Sequence, residues 1–234
     1  GSDFTLLVAG DSNVEGLAAG LRSHMAEALG VKWPQVHELF HIGVTAYQHG
    51  AEAHVVLSAV DKALASAEAK GPNASHALTE GGQAGNRSAE SWRLALTGAI
   101  DEGRIRLERY PVLAASNRPL HQESSARMQI EPEGPWLAAG DFMPMALRLK
   151  LSSTVDMDVV QIALELLDQG VAEIAVNLSA ETISDWRFTE ELVAQLGRNP
   201  DKSRRLWIEV PEYGAFRNFD AFRSFCHRLD PLGC

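Results

Sequence analysis

An ordered alternation in the second half of this chain restricts the fold more than any other feature. "IRLERYPVL" reads as a strand, and "HQESSARMQI" (121–130) as a second. "DFMPMALRLK" and "DMDVVQIALELLDQG" have helical spacing. "VAEIAVNLS" is strand-like, "DWRFTEELVAQLG" helical, "RRLWIEVPE" strand-like and "FDAFRSFCHRL" helical. Strands alternating with helices predict parallel strands joined by crossovers. Covering both faces of such a sheet gives a doubly wound α/β fold or a (β/α) barrel.

The first half predicts a smaller α/β unit. "FTLLVAG" is a short apolar run ending in Gly, read as a strand. Leu17, Leu21, Met25 and Leu29 fall at helical spacing before Gly30. "HELFHIGVTAY" predicts a strand and "HVVLSAVDKALASAEAKG" a helix with a Gly stop. Residues 71–88 are rich in Gly, Pro, Ser and Asn without apolar periodicity, which reads as a linker. Ser88 then caps a helix over "AESWRLALTGAIDEG".

Composition narrows the function classes. The 234 residues are 45% hydrophobic and 22% charged, as in a globular protein, and no run reaches the length of a membrane span. A net charge of −10 disfavours duplex nucleic acid, which needs a basic face. It leaves room for a small anion held by a few placed donors. Cys226 and Cys234 lack a His or Cys at metal spacing and read as reduced thiols. His41, His54 and His76 share no metal spacing either. "NPDKSRR" (199–205) reads as a solvated loop, and Trp186 as a staple-like contact at a helix start. Trp92 and Trp136 could stack on a base, although core or interdomain packing is the favoured reading.

In parallel α/β folds, ligands bind at the C-terminal ends of the strands. Asn177 closes "VAEIAVN" and Glu209 nearly closes "RRLWIE". A polar group ending an apolar strand costs stability unless partnered. Glu123, Asn177 and Glu209 therefore form a candidate set of oxygen donors of the kind that suits Mg²⁺ or Mn²⁺, though a strand-end Asn or Glu alone is more often a loop cap. Glu123 and Arg127 are four positions apart, so on a strand they share a face. They form either a solvated ion pair or a site.

These residues resemble the EAL domain, a (β/α) barrel that binds and hydrolyses cyclic di-GMP. Glu123-Ser124-Ser125-Ala126-Arg127-Met128 stands in register with the family's E-A-L-L-R-W. Asn177-Leu178-Ser179 matches its N-L-S, "IEVPE" its E-[IL]-T-E, and "AAGDFMPMA" its P-G-E-F-I-P-L-A. The first half resembles the C-terminal part of a GGDEF domain, the diguanylate cyclase fold, through "FHIGVTAY", "VDKALASAEAKGPN" and "GSDFTLLVAG". The resemblance implies three segments: 1–78 as the end of a degenerate GGDEF domain, 79–103 as linker and connecting helix, and 104–234 as the N-terminal part of an EAL domain, its barrel truncated.

The departures from these patterns are specific. Ser2 and Asp3 stand where a cyclase has its metal-binding Asp and catalytic Glu. Glu68 and Pro72 stand where it has a phosphate-contacting Lys and Arg. Reversing a charge beside a triphosphate costs about 1 kcal/mol or more even when solvated, so cyclase activity is expected to be absent. In the EAL half, Tyr110 replaces a Gln, Ser124-Ser125 replace Ala-Leu and remove an apolar floor beside the acid, and Met128 replaces Trp. By resemblance, Glu123 and Arg127 bind ligand, with Arg127 on a phosphate. Glu123, Asn177 and Glu209 would hold Mg or Mn if a metal is bound.

The resemblance implies cyclic di-GMP signalling. One reading is a receptor that binds the dinucleotide without turnover and needs no cofactor, resembling the LapD-type receptors whose two domains are both impaired. The other is a metal-dependent phosphodiesterase that yields pGpG. A purely structural module is a third. Family membership further implies a homodimer in the cytoplasm, or the cytoplasmic part of an inner-membrane protein tethered by segments outside this chain.

Overall fold

The computed structural model describes residues 4–10, 13–36, 39–51, 53–78, 87, 89–212, 215 and 218–234. The chain divides into two compact units, Gly1–Ser88 and Ala89–Cys234. Residues 1–3 and Ser88, singled out above, lie outside the described residues.

In the first unit, helix α1 (Val14–Lys32) starts at Asn13, whose side chain accepts from the Gly16 N–H at 2.9 Å. Strand β1 (Ile42–Thr45) and strand β2 (Ser75–Leu78) pair in parallel, joined through helix α2 (Ala53–Ala69). Two sequence expectations fail here. Residues 4–10 form no strand, and Phe4, Leu6 and Leu7 are exposed. A strand needs a ladder partner for its backbone groups, and among the described residues none pairs with this run. The linker expected at 71–88 contains β2 instead. A four-residue strand with a polar start has too short a pattern to stand out from a loop.

Gly43 shows how closely α2 lies on β1. A Cβ at this position would fall 2.3 Å from the Leu64 backbone nitrogen and 2.7 Å from the Leu64 Cα. Only a residue without a side chain permits this approach. Gly43→Ala is expected to lower the protection of β1 and α2 amides by about 1–3 kcal/mol in native-state hydrogen exchange. Unchanged protection would show that the helix can retreat without cost.

The second unit opens with α3 (Ala89–Asp101), followed by β3 (Ile105–Leu113), β4 (Pro119–Gln129), β5 (Trp136–Ala138), α4 (Ala139–Arg148) and α5 (Ser152–Asp168). After these come β6 (Ile174–Asn177), α6 (Trp186–Arg198), α7 (Pro200–Ser203), β7 (Leu206–Glu209) and α8 (Phe219–Leu229). The strand order is β3-β4-β6-β7, with β5 on β4. Pairs β4–β6 and β6–β7 are parallel, as the alternation predicts. Pairs β3–β4 and β4–β5 are antiparallel, which corrects the all-parallel expectation. The connection through 114–118 is too short for a crossover and can only reverse the chain.

One face of this sheet is apolar. Ile105 pairs with Met128, and Ile174 with Leu206; all four are buried together with Val176. Helices α4 and α5 cover them with Phe142, Met145, Val155 and Val159, also buried. Trp92 on α3 is buried in the core, not available to stack on a ligand. The 199–205 segment is not a plain loop: α7 fills part of it, with Ser203 buried and Lys202 Nζ 2.7 Å from Asp168 Oδ2. Trp186 is 69% exposed, its ring 5.6 Å from the Arg187 guanidinium, so it contributes no staple.

Candidate functional site

The apolar face fixes, by the pleat, what the other face carries. Along β4 the non-core face presents His121, Glu123, Ser125 and Arg127. In register beside them, β3 presents Tyr110 opposite Glu123, Glu108 opposite Ser125 and Arg106 opposite Arg127. On the other side of β4, Ala175 lies level with Glu123, and β6 continues to Asn177. Asn177 in turn pairs with Glu209 of β7, and Ala175 with Trp207. Glu123 and Arg127 on β4, Asn177 on β6 and Glu209 on β7 thus occupy one face of one sheet. Asn177 and Glu209 are neighbours on adjacent strand ends. Glu123 stands one same-face step below Asn177, and Arg127 lies beyond it in the other direction.

The ion pair posed by Glu123 and Arg127 resolves differently from either alternative. Arg127 Nη2 lies 2.8 Å from Glu108 Oε2 on β3, and its Nη1 donates to Ser125 Oγ at 3.3 Å and to the Ala126 carbonyl at 3.4 Å. Glu108 also receives the Tyr110 hydroxyl at 3.0 Å and lies 3.5 Å from Arg106 Nη2. The Tyr110 hydrogen bond, then the Arg127 and Arg106 charges, hold the Glu108 carboxyl below the usual carboxylate range. The Arg106 guanidinium lies 4.2 Å from the centre of the Trp136 ring, which therefore braces a cation. Among the described residues, the side chains of Glu123 and Glu209 form no hydrogen bond or ion pair with the protein. Both keep their oxygens available.

Below Glu123 the face is floored by aromatic rings. His121 stacks on Trp207, with centroids 4.8 Å apart and planes 26° apart. Trp207 Nε1 donates to Glu173 Oε2 at 2.7 Å.

Ser124 and Ser125 do different things. Ser125 is on the site face beside Arg127. Ser124 points the other way, is buried, and donates to the Ala175 carbonyl at 2.5 Å. The regular β4–β6 ladder ends at Glu123–Ala175, and this hydroxyl, with Asn177 Nδ2 3.5 Å from the Ser124 carbonyl, continues the contact beyond it. Only Ser125 can therefore alter the floor beside the acid. Ser124→Ala leaves the Ala175 carbonyl short of that donor, and about 1 kcal/mol of stability is expected to be lost in urea denaturation. An unchanged midpoint would show that the backbone regains a partner.

The loop after Asn177 has its own anchor, one not anticipated from the sequence. Asp156 on α5 is 3% exposed. Its Oδ2 accepts from the Ser179 N–H at 2.8 Å and the Ser179 hydroxyl at 2.5 Å, and Ser179 Oγ lies 2.7 Å from Thr182 Oγ1. Burial pushes the Asp156 pKa up, against the hydrogen bonds from Ser179 and Thr182. A carboxyl with a raised folded pKa contributes stability that is full below its unfolded value of about 3.9 and is lost as pH rises through the folded value. Asp156→Asn keeps an acceptor and removes the titration. Its stability relative to the native chain is therefore expected to increase between pH 4 and pH 7.5 in paired urea denaturations. A pH-independent difference would show that Asp156 does not titrate in this window.

The donor chemistry suits a hard cation: two carboxylates and an amide oxygen on one face, at positions Glu123, Asn177 and Glu209. Among the described residues, no group of three His, Cys, Asp or Glu side chains is gathered closely enough to hold a metal without the amide.

The chain belongs to the EAL domain family, whose model matches residues 93–234. It is 28% identical over 190 residues to the cyclic di-GMP phosphodiesterase PdeB of Shewanella oneidensis, an alignment that covers 77% of this chain and 22% of PdeB. Its fold is similar to that of the Vibrio cholerae LapD S helix-GGDEF-EAL protein bound to c-di-GMP, with a TM-score of 0.70 and 20% identity over 81% of this chain and 47% of that one. It is also similar to the Xanthomonas citri FimX EAL domain in complex with c-diGMP, with a TM-score of 0.55 and 24% identity over 62% of this chain and 58% of that one. The chain thus spans less than a quarter of PdeB and about half of the LapD protein. Mixed α/β architecture with an EAL domain follows from the family. Among the described residues no helix is long and apolar enough to cross a membrane.

Proposed function

We propose that this chain binds cyclic di-GMP on the Glu123–Arg127 face of its EAL domain and acts as a receptor, not a turnover enzyme. One observation carries the reading: the family's acid, base, amide and second acid, Glu123, Arg127, Asn177 and Glu209, lie on one face of one sheet. Arg127 is the phosphate contact, since a guanidinium offers several donors in a plane suited to phosphate oxygens. Ser125 and Tyr110, standing where the family has Leu and Gln, support loss of turnover. The first unit is the end of a degenerate GGDEF domain (1–78), followed by a linker and connecting helix (79–103). Glu68 in place of a phosphate-binding cation supports the absence of cyclase activity. The two domains together make a LapD-like tandem, dimeric and tethered through other segments.

A phosphodiesterase is the second reading, favoured by the uncommitted carboxylates of Glu123 and Glu209. Mg²⁺ or Mn²⁺ held by these and Asn177 would supply Lewis-acid activation of a water. The receptor reading needs no metal.

Isothermal titration with cyclic di-GMP separates the readings. Binding tighter than about 50 μM, or roughly −6 kcal/mol, with no pGpG formed in the presence of Mn²⁺, is the expected result. Linear pGpG would overturn the receptor reading, and no heat at that concentration would overturn both. Arg127→Ala is expected to weaken affinity by about 1–3 kcal/mol.

A further inference from the structure

We propose that Glu108 is a built-in competitor for the anion site of Arg127, setting the ligand concentration at which this face fills. The inference rests on the cyclic di-GMP reading above and adds to it a residue that lowers affinity. The Glu108 carboxylate already engages Arg127, its Oε2 2.8 Å from Nη2. It is held there by the Tyr110 hydroxyl at 3.0 Å and by Arg106 at 3.5 Å. Two remaining contacts of the guanidinium, to Ser125 Oγ and the Ala126 carbonyl, occupy Nη1. Both terminal nitrogens thus have internal acceptors before any ligand arrives.

An incoming phosphate meets Glu108 in two ways. It must share or displace the carboxylate on Arg127, and it suffers the repulsion of a like charge a few ångströms away. The pair is only partly shielded: the Arg127 side chain is 20% exposed and that of Glu108 37%. Solvent screening keeps each effect modest. Together they amount to about tenfold in affinity, taking the pair as a half-exposed bridge and the repulsion as that of two charges near water. The antiparallel β3–β4 register brings the groups together, because Glu108 and Arg106 lie opposite Ser125 and Arg127.

The test is cyclic di-GMP titration calorimetry on the native protein, on Glu108→Gln, which keeps the shape and removes the charge, and on Glu108→Asp, which retracts the carboxylate by one methylene. Circular dichroism checks each fold. Glu108→Gln is expected to bind about tenfold more tightly, with Glu108→Asp between it and the native chain. In an Arg127→Ala background the gain from Glu108→Gln is expected to shrink to the part that like-charge repulsion supplies. Equal affinity of native, Gln and Asp forms would overturn the inference and leave the cyclic di-GMP reading intact. A gain undiminished without Arg127 would also overturn it, because the effect would then be general charge alone. Binding by none of the proteins would overturn the reading, and the inference with it.

Discussion

The alternation of the pleat is the constraint on which the second unit depends. Ile105, Met128, Ile174, Val176 and Leu206 must face α4 and α5, because burial of that face holds the sheet. Once they do, their neighbours in sequence have no choice of side. Arg127 and Met128 are adjacent, as are Val176 and Asn177, so the same packing that buries the apolar member presents the polar one. A register slip of one residue on β6 would bury Asn177 and expose Val176. Core and candidate site are therefore one specification, and the stability of the first is the positional accuracy of the second.

The polar face is not uniform in charge. Its β3–β4 half carries two arginines with a carboxylate between them, and its β6–β7 half carries an amide and an acid. The β4 strand joins the halves with Glu123 towards one end and Arg127 towards the other. Such an arrangement fits a ligand that is anionic at one point and bridged to a cation at another, as a phosphodiester on a divalent metal is. Net acidity of the chain does not oppose this, because at separations beyond about 10 Å exposed charges are screened at ordinary salt, and Arg106 and Arg127 act locally.

How much of this was readable beforehand follows from the range of each determinant. Asn177 and Glu209 could be found because each closes an apolar run, a local pattern. Parity placed Glu123 and Arg127 on one face for the same reason. Glu108 could not be found: its meeting with Arg127 depends on an antiparallel pairing between separate strands, and an alternating pattern of strands and helices argued for parallel ones. The four residues of β2 carried too little pattern to be separated from a loop. Phe4–Val8 had a strand's composition without a strand's partner, which composition does not report. Asp156 was readable in principle. It sits at i+4 from Ser152 and i−4 from Val160, within the buried stripe of α5, and an acid in an apolar stripe calls for donors. Which loop supplied them was not.

Ser124 and Ser125 show why a departure from a family pattern has to be read one position at a time. Taken as a pair, they look like a single loss of apolar surface next to an acid. The pleat puts them on opposite sides, and each then answers to different surroundings. Ser124 faces a core in which the β4–β6 ladder stops, and its hydroxyl meets a carbonyl there. A hydroxyl in that position strengthens the junction of the two strands that carry Glu123 and Asn177. Ser125 faces the candidate-site side, where its hydroxyl accepts from Arg127 and helps hold the guanidinium beside Glu108. One substitution thus tightens the frame of the site while the other alters its lining. A lining altered in a firm frame is consistent with retained binding and lost turnover, because binding tolerates a changed neighbour of the reacting centre better than a transition state does.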